Sequence, residues 1–312
     1  MALILSFALA APLLALQDPP VFPRAPLTFA VEARTVNITV TARGPDGKLL
    51  RDLVADDFKV YEDDKLQEIQ FFARVFDPAR AAEDGGPDPT AIDLGMLFDT
   101  SESMVRVLGL SQNAATQFLQ SIPRARELTT VFFDSDIRLS RFNGESQQGL
   151  FNRLQRAKSS GHTLLYDSIA VYLSRISDEP GRKIMVIFSD GEDSRSLVSI
   201  PELKNLVRSS TVTIYVILFS GQYSSTNAKT TARVLMSDLA NLTGGEVFTP
   251  TTFKDLAAIY DGLLDELAAQ YVIGYVPTTE PDEDEHRLRV EIERPGVKAR
   301  HRRSYRVLKD DR

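Results

Sequence analysis

The sequence predicts an α/β protein in which a mostly parallel sheet, covered by helices on both faces, is inserted between the two halves of a small β-sandwich. Three observations lead there. At 312 residues the chain exceeds the ~100–200 residues of one domain and suits two cores. Its middle carries near-continuous apolar runs spaced by amphipathic stretches, the pattern of strands buried on both faces. Its two ends alternate apolar and polar residues with period two, the pattern of strands with one wet face. With 43% hydrophobic and 25% charged residues there is apolar surface enough to offset chain entropy.

Taken in order, Leu3 to Leu16 is an apolar run that stops at Gln17-Asp18-Pro19-Pro20. It is shorter than the ~20 residues a bilayer span needs and has the shape of a secretory h-region, although no Lys or Arg precedes it. Residues 1–17 are therefore expected to be a signal peptide. Export places the product in the periplasm, the cell envelope or the medium, with no transmembrane segment after cleavage. Residues 25–80 read as the first part of the sandwich: alternation at Leu27–Ala33 and Val36–Ala42, a turn at Gly44-Pro45-Asp46-Gly47, and a hairpin over Lys59–Ile69. A loop rich in Asp, Gly and Pro, Ala81–Pro89, follows.

Between 91 and 270 the rhythm becomes strand, helix, strand. Buried-strand runs occur at Ile92–Phe98, Thr129–Phe133, Lys183–Phe188 and Val212–Phe219, and a short strand is expected at Gly245–Phe248. Helical stretches are expected at 105–121, 164–177, 200–209, 229–242 and 252–269. From Tyr271 alternation returns, at Tyr271–Val276, Arg287–Glu293 and Arg303–Val307. So few strands cannot bury a core of their own, so residues 271–308 are expected to complete the sandwich.

Charge and cysteine content narrow the function. A net charge of −7 offers no broad positive field to a phosphate backbone, which argues against nucleic acid as a partner. With no cysteine, disulfides, thiolate metal sites and thiol catalysis are excluded.

In open α/β sheets ligands bind beyond the C-terminal strand ends. Three segments arrive at that edge. The first strand delivers Asp99-Thr100-Ser101-Glu102-Ser103, in which one carboxylate and two hydroxyls can turn to a common point. Thr163 precedes the helix that starts near Leu164, and Asp190 ends another strand. Two carboxylates and three hydroxyls form an oxygen-only donor set, which suits a hard cation: Mg²⁺ first, then Mn²⁺ or Ca²⁺. With few anionic protein ligands, such an ion stays electron-poor and an incoming carboxylate can complete its shell. Asp167, Glu102 and Gly191 are read as supporting residues around these five; Glu102, Glu192 and Asp193 could approach the ion, but solvated loop carboxylates that tune its field are the favoured reading. Asp134 and Asp136 read as hairpin-turn residues, His162 as a rim residue, and the basic stretch Lys298–Arg306 as a solvated strand face.

Residues 91–270 resemble a von Willebrand factor A domain. Asp99, Ser101, Ser103, Thr163 and Asp190 match the metal-ion-dependent adhesion site of that family position by position. The flanks, with Asp-Phe-Lys-Val-Tyr-Glu-Asp at 57–63 and Tyr-Val-Ile-Gly-Tyr at 271–275, resemble the secreted VWFA-related proteins of acidobacteria. The resemblance implies a Rossmann-like fold and a non-enzymatic module that binds a partner protein's acidic group through the metal.

Other readings stand beside this one. Each Ser, Thr or Asp could simply cap a helix N-terminus. A Mg²⁺-dependent hydrolase of phosphatase type could use an Asp after a strand as nucleophile, but Ser101 stands where such a site places its second carboxylate, and no Gly-x-x-x-x-Gly-Lys loop occurs. A structural envelope protein with an empty site is the third.

Overall fold

A computed structural model describes residues 35–75, 90–121, 125–142, 147–176, 181–219, 226–278 and 285–306. The expected signal peptide, the strand at Leu27–Ala33 and the loop Ala81–Pro89 lie outside the described residues.

The central sheet has six strands: β5 (Ile92–Asp99), β6 (Glu127–Phe133), β7 (Ile137–Phe142), β8 (Arg182–Ser189), β9 (Val212–Leu218) and β10 (Val247–Phe248), in the order β10-β9-β8-β5-β6-β7. All neighbours run parallel except β6 and β7, which form a hairpin. Strands β5, β8 and β9 are buried along their whole length, which is why their sequences are apolar on both sides of the pleat.

Each face of the sheet carries its own core. Leu94, Met96 and Phe98 pack with Phe118 of α1 (Leu108–Ser121) and with Leu256 and Tyr260 of α6 (Phe253–Ala268). Leu97, Met185 and Ile187 pack on the other face with Ile169 of α3 (Leu165–Leu173), Leu203 of α4 (Ile200–Ser209) and Leu239 of α5 (Thr226–Thr243). A further helix, α2 (Gln147–Arg156), inserts Leu150 and Leu154 into the first core. Gly95 has no side chain because α3 comes too close: a Cβ there would meet the Tyr172 ring at 2.2 Å.

Two four-stranded antiparallel sheets make the sandwich. One is ordered β13-β1-β11-β4, from β1 (Val36–Arg43), β4 (Phe71–Arg74), β11 (Tyr271–Tyr275) and β13 (Lys298–Arg300). The other is ordered β14-β12-β2-β3, from β2 (Phe58–Glu62), β3 (Lys65–Gln67), β12 (Glu285–Ile292) and β14 (Ser304–Arg306). Both sheets mix strands from the two ends of the chain: β1 pairs β11 and β2 pairs β12. The sandwich core, Ile38, Val40, Phe58, Val60, Ile273 and Val290 among others, therefore closes only when both ends are present.

The joint between sandwich and central sheet is polar and buried. Glu266 near the end of α6 accepts from Tyr215 Oη at 2.7 Å, from Arg43 at 2.9 Å and from Arg300. Arg182 donates to Gln270 Oε1 at 2.7 Å and to the Leu267 carbonyl at 2.8 Å. Arg302 is buried and donates to the Arg208 and Ser210 carbonyls at the end of α4, at 3.1 and 2.8 Å, where unpaired carbonyls favour a cation. Arg300 and Arg302 thus correct the reading of Lys298–Arg306 as a solvated face: two of its arginines close the joint.

Candidate metal centre

Strand β5 lies between β8 and β6, so its last residue, Asp99, emerges in the middle of the sheet edge. Asp99 is 1% exposed. Its Oδ1 accepts from Ser101 N at 2.9 Å and Ser101 Oγ at 2.5 Å, and its Oδ2 accepts from Ser189 Oγ at 2.6 Å. Ser101 Oγ lies 3.1 Å from Ser103 Oγ. The chain then makes a single 3-10 turn over Glu102–Met104, anchored by the buried Met104 side chain. Three of the expected ligands are thus linked by hydrogen bonds within one loop.

Asp190 follows β8 and is 5% exposed. Its Oδ1 accepts from Glu192 N at 3.2 Å, while its Oδ2 is buried without a hydrogen-bond partner. Glu192 Oε1 is also buried and unpartnered. Gly191 between them adopts φ +79°, and a Cβ there would sit 2.9 Å from Leu218 Cδ1, so the turn requires glycine. Burial pushes the Asp99 carboxyl up to about 7, and the nearby Asp190 charge adds to the rise against the opposing hydrogen bonds of Ser101 and Ser189. Among the described residues neither carboxylate has a Lys or Arg partner.

Thr163 is 6% exposed, one residue before Leu164 and the start of α3. Its backbone N donates to Ser194 Oγ at 3.0 Å, and its carbonyl accepts from Ser194 N and Arg195 N at 3.1 and 3.2 Å. Glu102 N donates to the Gly161 carbonyl at 3.2 Å, and Ser160 N to the Thr100 carbonyl at 2.8 Å. The three loops are therefore laced together by backbone bonds. His162 is exposed at the rim, with Nε2 3.3 Å from Arg195 Nη2. Glu102 is exposed as well.

Asp167 accepts from Leu197 N at 3.0 Å and from Val198 N at 2.9 Å, so its carboxylate shapes the loop that follows Asp190. Asp193 and Glu192 depart from the reading as solvated carboxylates. Asp193 accepts from Tyr166 N at 3.1 Å and Ser196 Oγ at 2.6 Å, fastening that loop to the first turn of α3. Asp134 sits in the β6–β7 hairpin as expected and pairs with Arg138 at 2.5 Å.

Does this donor set fit a divalent cation? Two buried acidic oxygens lack partners, the Asp99 carboxylate is buried against its charge, and hydroxyls are at hand. An added cation would answer each of these, and the hard oxygen set suits Mg²⁺ or its substitutes.

Sequence reasoning passed over Ser189 and a second cluster in the sandwich. There His286 Nδ1 lies 2.9 Å from Asp63 Oδ2 and 3.5 Å from Glu62 Oε1. Glu62 is buried and accepts from the hydroxyls of Tyr275 at 2.5 Å and Tyr305 at 3.0 Å. The strand pairing that joins residue 62 to residue 288 brings these groups together, and no local spacing announces it.

No family model matches the chain, and no curated protein matches it. Among solved structures, a von Willebrand factor type A structure from Catenulispora acidiphila is 12% identical, with a TM-score of 0.48, over 90% of this chain and 76% of that one. An aerotolerance-related membrane protein from Bacteroides fragilis is 11% identical, with a TM-score of 0.45, over 57% of this chain and 98% of that one. The BatB protein of Bacteroides thetaiotaomicron is 11% identical, with a TM-score of 0.44, over 55% and 97%. Likeness of this degree says nothing about ligand or partner.

Proposed function

We propose that residues 91–270 form a von Willebrand factor A-type module that binds a partner protein through a divalent cation. Asp99, Ser101, Ser103, Thr163 and Asp190 would hold the ion. The observation that carries this reading is the buried, unpartnered Asp190 Oδ2 beside a buried Asp99 that no cationic side chain among the described residues neutralises. The family resemblance of these five positions supports it too. When bound, a hard cation with an open coordination position supplies a Lewis acid that a partner's carboxylate can occupy. The chain's own part is to hold the oxygens in place: Ser189 fixes the Asp99 carboxylate, Gly191 turns the backbone after Asp190, and Asp167 and Asp193 brace the loop behind it.

The proposed role is recognition without catalysis, in a protein that is secreted or held in the cell envelope. Among the described residues no helix is long and apolar enough to cross a membrane. The test is capture of a partner from native envelope extract by the full chain, with and without a chelator, against Asp99→Ala. Capture lost in both the chelator and the variant supports the reading. Capture indifferent to both would overturn it.

A further inference from the structure

Beside Thr100, at the same sheet edge, lies a cavity of about 420 Å³ whose wall includes Phe132, Arg138, Arg153, Arg156 and Lys158. Among the described residues no carboxylate lines it. Arg138 is neutralised by Asp134, to which it donates at 2.5 and 3.1 Å. Arg153 donates to the neutral Ser140 hydroxyl. Arg156 and Lys158 are exposed, so their charges are turned to solvent. The cavity therefore concentrates positive charge on a chain of net charge −7.

Two other cavities, at the joint with the sandwich, are also lined by arginines, but carboxylates share their walls: Asp64 and Glu285 in one, Glu246 in the other. Arg300 pairs with Glu246 at 3.3 Å and with Glu266, Arg289 with Glu291, and Arg287 with Asp64 at 3.8 Å. Favourable placement in the last turn of α2 accounts for Arg153 and Arg156. It does not account for Arg138, which comes from β7, or Lys158, from the loop after α2. Strand β7 and the end of α2 with the loop that continues it thus bring cations to one concavity.

That concavity adjoins the candidate cation site. Thr100 follows Asp99, and Arg138 Nη2 lies 3.3 Å from Thr100 Oγ1. The bonds from Ser160 N to the Thr100 carbonyl and from Glu102 N to the Gly161 carbonyl bind the Lys158–Thr163 loop to the Asp99–Ser103 loop. The same two loops border both places.

We propose that the cavity is a second anion subsite and that the partner presents an acidic peptide segment with at least two carboxylates: one for the cation, another for Arg156 and Lys158. The carboxylate placed on the cation rests on the reading of Asp99 and Asp190 as a cation site; the cavity's own affinity for a carboxylate does not. Charge-assisted hydrogen bonds in a concave site are strong enough to be read in affinity.

The test is calorimetric titration of the full chain, with Mg²⁺ and with chelator, using two capped peptides of equal length: tetraglutamate and a glycine peptide carrying a single Glu. The wild type should bind tetraglutamate about tenfold or more tighter than the single-Glu peptide. The R156E/K158E variant should lose that preference while keeping its affinity for the single-Glu peptide and its Mg²⁺ uptake. K229E/R233E, which makes the same charge change at exposed positions on α5, should leave the preference intact. Equal affinity of the wild type for both peptides would overturn the proposal. So would an equal loss in K229E/R233E, since bulk charge alone would then explain it. If the wild type takes up no Mg²⁺, the cation reading fails. A tetraglutamate preference in chelator that R156E/K158E abolishes would still uphold the subsite.

Discussion

Ser189 Oγ donates to Asp99 Oδ2 at 2.6 Å, joining the ends of two adjacent parallel strands, β8 and β5, across the centre of the sheet edge. The bond leaves the Ser189 hydroxyl buried and aims the Asp99 carboxylate along the loop that carries Ser101 and Ser103.

Ser189→Ala removes that orientation without touching a proposed ligand. Loss of a group that orients a metal ligand commonly costs about 10–100-fold in metal affinity. We expect Mg²⁺ affinity to fall by that order in calorimetric titration while the fold stands. Unchanged affinity would show that the Ser189 bond does not position the Asp99 carboxylate for the ion.

A pH dependence follows from Asp99. Its carboxyl, near 3.8 when unfolded, is raised to about 7 in the fold, chiefly by burial. The folded metal-free protein therefore binds a proton more tightly than the unfolded chain. The stability this contributes is full below about 3.8 and is lost as pH rises through about 7. A bound cation favours the ionised form and offsets the loss. The difference in melting temperature between Mg²⁺ and chelator should widen from about pH 5 to about pH 8; a constant difference would contradict this.

Gly95→Ala should destabilise the central sheet. The added methyl would meet the Tyr172 ring at 2.2 Å from a strand fixed on both sides, and overpacking of this kind costs about 1–3 kcal/mol. Urea unfolding would register it as a lower midpoint.

Glu266→Ala tests the joint. It takes from Arg300 one of its two carboxylate partners, leaving Glu246 at 3.3 Å, and takes from the buried Tyr215 hydroxyl its acceptor, a loss of about 1–3 kcal/mol for a buried donor left unsatisfied. Glu266→Gln, which keeps the shape and loses the charge, should fall between the variant and the wild type. Denaturation curves of the three proteins would rank them.

How much of this was legible in the sequence depended on burial. Strands β5, β8 and β9 are apolar throughout because both their faces are covered, and they stand out at once. The sandwich halves showed through their alternation. Strand β7, at the sheet edge with two exposed arginines, has no clear period, and α2 carries only two fully buried leucines in a polar stretch, so both escaped notice. The candidate ligands were legible because strand ends determine where Asp99 and Asp190 emerge. Asp193 was misread because the partner that fastens it to α3, the Tyr166 amide, is 27 residues away, and Arg302 because a period-two pattern cannot tell a solvated arginine from one that caps a distant helix.

Direct titration of Mg²⁺ into the chelator-treated full chain tests whether Asp99 and Asp190 hold a divalent cation. One equivalent of Mg²⁺ should bind to the wild type, and none to Asp99→Ala or Asp190→Ala variants that retain wild-type circular dichroism. No uptake by the wild type, or equal uptake by all three proteins, would contradict the cation reading.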